Sequence, residues 1–409
     1  MKYIVLLGDG MAGLPMDELG GKTTLAHAKT PNMDYMARTG KLGLAKTVPE
    51  GMPPGSDVAN LSVLGYDPAK YYTGRAPLEA ASIGVELGPE DVAYRCNLVT
   101  LGLIKGRSGE DYRNDYIMED FSAGHITTDE AAELIDEIDA SFGCGNVNFY
   151  PGVSYRHLMV WSKGRHDLKC TPPHDITGKP IAGHLPEGDG AGFITDLMEY
   201  SMGLLSGHAV NRERAAKGNC PANSIWLWGQ GKRPSLPAFK ELYGLKGAMI
   251  SAVDLMKGIA SILGFDVIDV PGVTGYIDTN YEGKADAALK ALERADFVYV
   301  HVEAPDESGH GGRMDHKLKA IEDFDSKVVG RVLSAIKGRP GYRVLVMPDH
   351  PTPIAVKSHT SEPVPFILYD SGDELREDKA KAYDEEHAAK TGMFVKEGHK
   401  LMEQLLNRK

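Results

Sequence analysis

The sequence predicts an α/β fold with a mostly parallel sheet, and two observations support this class. Three short apolar runs, at residues 3–7, 297–302 and 342–347, have the composition of buried parallel strands. Apolar residues also recur at helical spacing between residues 318 and 336, as expected for a helix that connects parallel strands. We therefore expect helices to flank the sheet.

Each of these three runs ends in side chains that could bind a ligand. The first run is followed by Asp9, the second by Asp306 and His310 in what we interpret as a loop, and the third by Asp349 and His350. Binding loops of open α/β sheets lie just past the carboxyl ends of the strands. The three strand ends are therefore expected to contribute to one site.

The chain length and a change of pattern predict an inserted domain. A chain of 409 residues is long for one simple core. Between residues 78 and 234, strands ending in aspartate give way to alternating strands, amphipathic helices and loops rich in proline and glycine. We predict a core formed by residues 1–77 and 235–409, with a smaller α+β domain at 78–234 inserted into it.

Composition excludes several classes of protein. A formal net charge of −12 argues against a nucleic-acid binder, although a small anionic substrate remains compatible with it. No run approaches the roughly 18 apolar residues of a membrane span. The cysteines are scattered without a C-x-x-C pair, which fits a reducing, cytoplasmic location. They are Cys96, Cys144, Cys170 and Cys220.

The polar strand ends, together with a serine and a later histidine, predict a site for two metal ions. Each residue alone has an ordinary structural explanation, but together they resemble a two-metal site for phosphoryl transfer. Mixed carboxylate and imidazole ligands favour Mn²⁺ or Zn²⁺, with Mg²⁺ as an alternative. The predicted ligands are Asp9, Ser56, Asp306, His310, Asp349, His350 and His359.

Ser56 has two interpretations. It follows a tight turn rich in proline and glycine and precedes a predicted helix at residues 57–64, so it could simply be the N-cap. Alternatively, it is a nucleophile, because a serine hydroxyl beside divalent metal ions loses its proton near neutral pH and can attack phosphorus. The surrounding predicted ligands favour the second interpretation.

Several long motifs resemble one known family along nearly the whole chain. They include PPGSDVANLSVLGYDPAKYYTGRAPLEAASIGVEL, PANSIWLWGQGK, VPGVTGYIDTNY, VHVEAPDESGHGG and MPDHPTPIAVKSHTSEPVPF. The chain resembles the archaeal-type branch of cofactor-independent phosphoglycerate mutase, within the alkaline phosphatase superfamily. The resemblance implies an alkaline phosphatase-like core with two metal ions, and a serine that takes the phosphoryl group from 3-phosphoglycerate and returns it to the 2-hydroxyl.

The resemblance also divides the predicted ligands between two ions. One ion would be held by Asp306, His310 and His359. The other would be held by the remaining ligands, which are Asp9, Ser56, Asp349 and His350.

Residues that contact the substrate are harder to identify from the sequence. We take His125 as the candidate general base that moves a proton between the 2- and 3-hydroxyls. Arginine forks and lysine suit phosphate or carboxylate groups, although each of these residues could equally be structural. The candidates are Arg75, Arg156, Arg212 and Lys257. Gly229 and Gly231 weakly resemble a phosphate-binding loop, but the full motif is missing.

Three alternatives stay open at this point. Bacterial members of the same branch have been proposed as homoserine kinases, and a phosphatase of the superfamily would share the metal ligands. A third alternative is a metal-stabilised scaffold without catalysis, which the presence of Ser56 disfavours. The sequence leaves the oligomeric state open.

Overall fold

The computed structural model describes residues 1–143, 145–374, 377–378 and 382–407, so Cys144 lies outside the described residues. The chain divides into two compact units. The first comprises Met1–Tyr72 and Ser235–Lys409, and the second comprises Thr73–Pro234. The assignment of residues 78–234 to an inserted substrate domain stays a prediction.

Thirteen strands lie in the described residues, numbered here in chain order. They are β1 (Lys2–Gly8), β2 (Lys41–Ala45), β3 (Asp91–Leu103), β4 (Tyr116–Asp120), β5 (Val147–Tyr150), β6 (Arg156–Ser162), β7 (Ser224–Lys232), β8 (Gly247–Ile250), β9 (Asp266–Val267), β10 (Phe297–Val302), β11 (Tyr342–Met347), β12 (Val364–Asp370) and β13 (Phe394–Val395).

The helices of the described residues connect and cover these strands. They are α1 (Thr24–His27), α2 (Pro31–Thr39), α3 (Ser56–Val63), α4 (Pro68–Tyr71), α5 (Ala76–Ser82), α6 (Tyr112–Asp115), α7 (Thr128–Phe142), α8 (Ala191–Leu205), α9 (Ala209–Ala216), α10 (Phe239–Tyr243), α11 (Asp254–Leu263), α12 (Tyr281–Ala291), α13 (Ala304–His310), α14 (Met314–Asp323), α15 (Gly330–Ile336), α16 (Glu385–Lys390) and α17 (Leu401–Leu406). Across the described ranges, none of them is long and apolar enough to cross a membrane.

The sheet of the first unit has eight strands in the order β13-β2-β12-β11-β1-β10-β8-β9. β1 pairs in parallel with both β10 and β11, and β10 pairs in parallel with β8. Within the described part of this sheet, only the pairs that β12 makes with β11 and β2 are antiparallel. This arrangement confirms the predicted α/β class with a mostly parallel sheet.

Strand register places three strand ends side by side. Gly8 at the end of β1 is level with Val302 at the end of β10, and Leu7 is level with Met347 at the end of β11. All six residues of β10 are buried, as expected for a central parallel strand covered on both faces. The segments that follow these strands therefore leave the sheet together.

The predicted long helix after β10 runs from Met314 to Ile336, with a π-helical segment at Phe324–Val329 between α14 and α15. This segment contains the buried Asp325, whose carboxylate accepts hydrogen bonds from the backbone N–H of Met33 (2.7 Å) and the side chain of Asn32 (2.9 Å). Asp325 thereby satisfies free N–H groups at the start of α2. Thr30 occupies the N-cap position, but its side chain makes no capping bond in the described part of the chain.

The second unit is built on an antiparallel sheet in the order β4-β3-β6-β5, with β7 paired to the other edge of β3. The predicted helix α7 begins with a capping box between Thr127 and Glu130. Its buried stripe packs with α8 and one sheet face into a core that includes Leu134, Ile138 and Trp226.

We predict that His157 makes the stability of the protein depend on pH. This buried side chain accepts a hydrogen bond at Nδ1 from Gly152 N–H, while Nε2 has no partner among the described residues. Burial lowers the pKa of His157 from 6.5 to about 3. Between these values the unfolded chain binds a proton that the folded protein excludes, so stability falls as pH decreases from 6.5.

The measurement is urea unfolding at several pH values. His157→Asn should reduce the slope of stability against pH by up to about 1.4 kcal/mol per pH unit below pH 6.5. His166→Asn, at an exposed position, is the matched control and should leave the slope nearly unchanged. Equal slopes for His157→Asn and the unmodified protein would contradict the prediction.

Candidate active site

The three level strand ends bring their polar residues together in the first unit. Asp9 follows β1 directly, and its N–H donates to the carbonyl of Val302 at the end of β10 (2.9 Å). Asp349 and His350 follow β11, and the N–H of Gly10 donates to Asp349 Oδ1 (3.1 Å). The side chains of Asp9, Asp349 and His350 are fully buried.

Asp306 and His310 lie on a helix rather than in the loop that we expected. Pro305 occupies the first turn of α13, where proline is favourable because the missing N–H would be unpaired anyway. The four-residue spacing then places both side chains on one face of the helix. Their contact is 3.1 Å between His310 Nε2 and Asp306 Oδ2.

His359 completes the first group of possible ligands. Its Nε2 lies 2.9 Å from His310 Nε2 and 3.5 Å from Asp306 Oδ1. His310 Nδ1 donates to the carbonyl of Lys357 (3.1 Å), so Nε2 is the atom left to bind a cation. Burial lowers the pKa of His310, but the hydrogen bond and charge of Asp306 outweigh burial and raise this pKa to about 9.

His350 links this group to a second one around Asp9. Its Nε2 lies 3.0 Å from Ser56 Oγ, 3.4 Å from Asp349 Oδ2 and 3.6 Å from Asp9 Oδ1. Ligand atoms of Asp9, Asp349 and His350 all lie within 4.8 Å of one another, and so do those of Asp306, His350 and His359.

The chemistry of these groups fits divalent cations. Asp9 Oδ1 is buried, yet it has no hydrogen-bond partner within the part of the chain that the structure describes. Burial raises the pKa of Asp9 well above its usual value, and the negative charges of Asp349 and Asp306 raise it further. A cation bound by these oxygen and nitrogen atoms would offset both the cost of burying the Asp9 carboxylate and its repulsion by the neighbouring carboxylates.

Ser56 is the first residue of α3, and Gly55 occupies the N-cap position. The side chain of Ser56 makes no capping hydrogen bond in the described ranges and is directed instead toward His350. The N-cap interpretation of Ser56 is therefore wrong. The position near the positive end of the α3 dipole would favour a negative charge on or near Oγ.

Asn60, which sequence reasoning missed, holds Ser56 and Asp349 in place. Its Nδ2 donates to Ser56 O (2.9 Å) and Asp349 Oδ2 (2.8 Å), while its Oδ1 accepts from the Tyr299 hydroxyl (2.5 Å). Hydrogen bonds from neighbouring residues to metal ligands fix the orientation of those ligands. The available signal was the spacing, because Asn60 lies four residues after Ser56 in a predicted helix.

His301 was also missed, because it lies within the apolar run of β10. Its Nε2–H donates to Asp9 Oδ2 (2.8 Å), and Nδ1 accepts from Ser251 Oγ (3.2 Å). Burial lowers the pKa of His301 to about 3, which keeps the ring neutral, and the hydrogen bond to the Asp9 carboxylate favours the tautomer with the proton on Nε2. Glu303 lies close by, with its Oε2 3.8 Å from the same Nε2.

Two buried lysines supply positive charge beneath the carboxylates. Lys284 donates to the carbonyl of His301 (2.8 Å), and Lys317 donates to those of Thr352 (2.6 Å) and Ala12 (3.1 Å). Burial lowers the pKa of each lysine to about 8. The hydroxyl of Thr352 donates to Asp306 Oδ1 (2.5 Å). By binding backbone carbonyls next to the carboxylates, the two lysines stabilise the segments that position the site.

The predicted substrate contacts are distributed between the units. In the first unit, Lys257 Nζ lies 3.5 Å from Asp269 Oδ1, on α11 and away from the contacts that join the ligand groups. In the second unit, Arg212 donates to the carbonyl of Gly207. His125 has a left-handed backbone (φ 52°), and its ring meets the ring of Tyr155 edge-on at 5.9 Å.

Arg75 and Arg156 belong to a different cluster of the second unit. Arg75 Nε lies 3.0 Å from Glu79 Oε1, and Arg95 Nε lies 2.8 Å from Glu79 Oε2. The Arg156 guanidinium lies 5.3 Å from the centre of the Tyr155 ring. Arg95 was absent from the sequence-based candidates.

We predict that Asn60→Leu destabilises the first unit. The change keeps a similar side-chain volume but leaves Asp349 Oδ2 and the Tyr299 hydroxyl, both buried, without this partner, at about 1–3 kcal/mol for each unpaired group. Urea unfolding in the presence of a chelator measures the effect without contributions from bound metal. Asn219→Leu, at an exposed position, should change stability by less than about 0.5 kcal/mol. Wild-type stability for Asn60→Leu would contradict the prediction.

Comparisons with known proteins identify the family. Residues 37–211 match the family model for 2,3-bisphosphoglycerate-independent phosphoglycerate mutase. A probable enzyme of this name from Geobacter sulfurreducens is 57% identical over 408 residues, covering 100% of both chains. The enzyme of this name from Methanosarcina barkeri is 55% identical over 392 residues, covering 95% of each chain.

Solved structures agree with this assignment. A protein from Pyrococcus horikoshii has a TM-score of 0.80 at 30% identity, covering 100% of this chain and 98% of that one. The cofactor-independent phosphoglycerate mutase from Thermoplasma acidophilum has a TM-score of 0.64 at 27% identity, covering 100% and 99%. The chain therefore belongs to the family of 2,3-bisphosphoglycerate-independent phosphoglycerate mutases.

Proposed function

We propose that this chain interconverts 2- and 3-phosphoglycerate without added bisphosphoglycerate, through a phosphoserine at Ser56. The observation that carries the proposal is the position of Ser56 Oγ, 3.0 Å from His350 Nε2 beside the buried carboxylates. The names of relatives 50–57% identical to this chain support the same reaction.

The two ligand groups would hold two divalent ions. Asp306, His310 and His359 are proposed for one ion, and the ligands for the other are Asp9, Ser56, Asp349 and His350. Bound Mn²⁺ or Zn²⁺, with Mg²⁺ as an alternative, would favour the deprotonated hydroxyl of Ser56 and offset charge on the phosphoryl group.

The residues of the chain account for the remaining steps. Ser56 Oγ attacks phosphorus, so its bond to phosphorus forms as the bond to the substrate oxygen breaks. The glycerate then accepts the phosphoryl group on its other hydroxyl, and Ser56 is regenerated without net consumption of water. We propose that His125 moves the proton between the two hydroxyls. The proposed contacts to the phosphoglycerate are Arg75, Arg156, Arg212 and Lys257.

One test of the proposed function concerns Ser56. Ser56→Ala should lower kcat by more than about 10³-fold, because the covalent step needs the hydroxyl. The assay supplies 3-phosphoglycerate and Mn²⁺ without bisphosphoglycerate, and mass spectrometry of the quenched wild-type protein should find phosphate on Ser56. Ser62→Ala, a buried serine of the same helix, is the matched control and should stay within about threefold of wild type. Full activity of Ser56→Ala would exclude this nucleophile.

Another test of the proposed function concerns metal removal. Chelation should abolish the activity and lower the melting temperature, because ligands that bind only the folded state stabilise it by about 2.7 kcal/mol at a hundred times their Kd. Adding Mn²⁺ should restore both in the wild type but not in Asp349→Asn. Glu403→Gln, on the exposed side of α17, should behave as wild type. Retained activity after complete metal removal would refute the role of the ions.

The same preparations distinguish the kinase alternative. Homoserine and ATP replace 3-phosphoglycerate in a parallel assay with the same metals. Turnover of ATP with homoserine, in the absence of mutase activity, would replace the proposed function with a kinase function.

A further inference from the structure

A short segment between two of the candidate metal ligands has an unusual backbone conformation. Lys357, which lies between His350 and His359, has φ 55°, in the left-handed region that favours glycine. Among the described residues of the first unit, the other non-glycine residue in this region is Asn407, and asparagine is common at such a position after a helix. A lysine is disfavoured there, so the surrounding structure must hold it.

Hydrogen bonds fix both ends of the segment that contains Lys357. The N–H of Thr360 donates to the carbonyl of Pro351 (3.0 Å), which closes the base of the segment. The N–H of Thr352 donates to the carbonyl of Ala12 (3.1 Å), and Lys317 donates to the carbonyl of Thr352 (2.6 Å). Because the ends are fixed, the course of the chain between them depends on the backbone angles inside the segment.

Inside the segment, a single helical turn ends at Lys357. The N–H groups of Val356 and Lys357 both donate to the carbonyl of Pro353, at 3.0 and 2.9 Å. A left-handed residue at the end of such a turn reverses the direction of the chain, and glycine is the usual residue there. The reversal directs the carbonyl of Lys357 toward His310 and leads the chain to His359 two residues later.

The carbonyl of Lys357 is the acceptor that orients the ring of His310. His310 Nδ1 donates to this carbonyl (3.1 Å), so the proton of the neutral ring lies on Nδ1. His310 Nε2 then faces Asp306 Oδ2 (3.1 Å) and His359 Nε2 (2.9 Å). In metal sites an acceptor of this kind sets the tautomer and the orientation of the histidine that binds the ion.

The side chain of Lys357 makes a separate contact. A Cβ at Gly312 would lie 2.6 Å from Lys357 Cε, so the lysine side chain crosses the chain two residues after His310. Lys357 is exposed, as is usual for a lysine whose carbon chain lies along the protein while its ammonium stays in water. The contact that Lys357 makes with a candidate ligand is therefore the one through its backbone carbonyl.

We propose that Lys357 is a positioning residue of the metal site, and that its left-handed backbone, rather than its charge, keeps His310 in the tautomer and orientation that bind a cation. The inference rests on the metal ions of the proposed function. Strained backbone persists only where the surrounding structure holds it, and it is concentrated at functional sites. Here the closed segment holds the strain, and the result is one carbonyl directed at one ligand.

Competition titration against a chromophoric chelator tests this inference, with Zn²⁺ as the probe and without substrate. Lys357→Val and Lys357→Pro should each weaken the binding of one of the two ions about 10- to 100-fold, the loss typical when the outer partner of a metal-binding histidine is removed. Valine disfavours the left-handed region, and the proline ring fixes φ at about −65°. The other ion should keep its affinity, because its proposed ligands do not include His310.

Three variants separate the backbone of Lys357 from its side chain. Lys357→Gly adopts the left-handed region without strain, and Lys357→Met keeps most of the carbon chain without the charge, so both should bind Zn²⁺ as the wild type does. Lys163→Val is the matched control. Lys163 is exposed and has φ 56° in the second unit, which contains none of the proposed metal ligands. This change introduces the same backbone strain but should leave Zn²⁺ binding unchanged.

The possible results distinguish the two proposals. Thermal unfolding in the presence of a chelator verifies that each variant is folded, and Lys357→Val decides the outcome if Lys357→Pro is not. Unchanged Zn²⁺ binding in the folded variant would overturn the role of the backbone. A loss in Lys357→Gly as large as that in Lys357→Val would assign the effect to the side chain and would overturn it too. Mutase activity of the wild type would leave the proposed function standing in both cases, whereas a wild type that binds neither Zn²⁺ nor Mn²⁺ would overturn both proposals.

Discussion

Parallel pairing of β1 with both β10 and β11 is the constraint on which the candidate site depends. Because the three strands end at the same level, Asp9, Asp306 and Asp349 leave the sheet at one place, although 297 positions separate Asp9 from Asp306 along the chain. A shift of one residue in either pairing would reverse the faces of a strand and separate these groups. The packing of the core around β10 therefore also positions the acidic side chains of the candidate site.

This convergence concentrates negative charge in the interior. Neutral donors and positive groups offset this negative charge. His301 and Asn60 donate hydrogen bonds to Asp9 and Asp349. Lys284 and Lys317 donate to backbone carbonyls of the segments that carry the carboxylates. The proposed ions would complete the balance.

Local patterns were sufficient to predict the main strands and the acidic groups that follow them, because hydrophobic runs and strand ends are visible in a single sequence. The structure places α13 where we expected a loop, since Pro305 starts a helix that composition alone did not reveal. For Asn60 the sequence showed only its spacing four residues after Ser56, since Tyr299 lies 239 residues away, and His301 was out of reach because Asp9 lies 292 residues away. The cap of α2 was missed for the same reason, as Asp325 lies 292 positions from Met33.

The backbone segments around Gly74 and Gly231 cross in close contact, since a Cβ at Gly74 would overlap the carbonyl oxygen of Gln230 and one at Gly231 would overlap that of Thr73. This crossing lies within a few residues of Thr73 and Pro234, and the Thr73 hydroxyl donates to the carbonyl of Lys232 (2.6 Å). The points where the chain begins and completes the second unit are therefore neighbours, as is common for domains inserted into a surface turn. Evolution could gain, lose or exchange such a unit as a single piece, because its removal would leave only a short gap in the host chain.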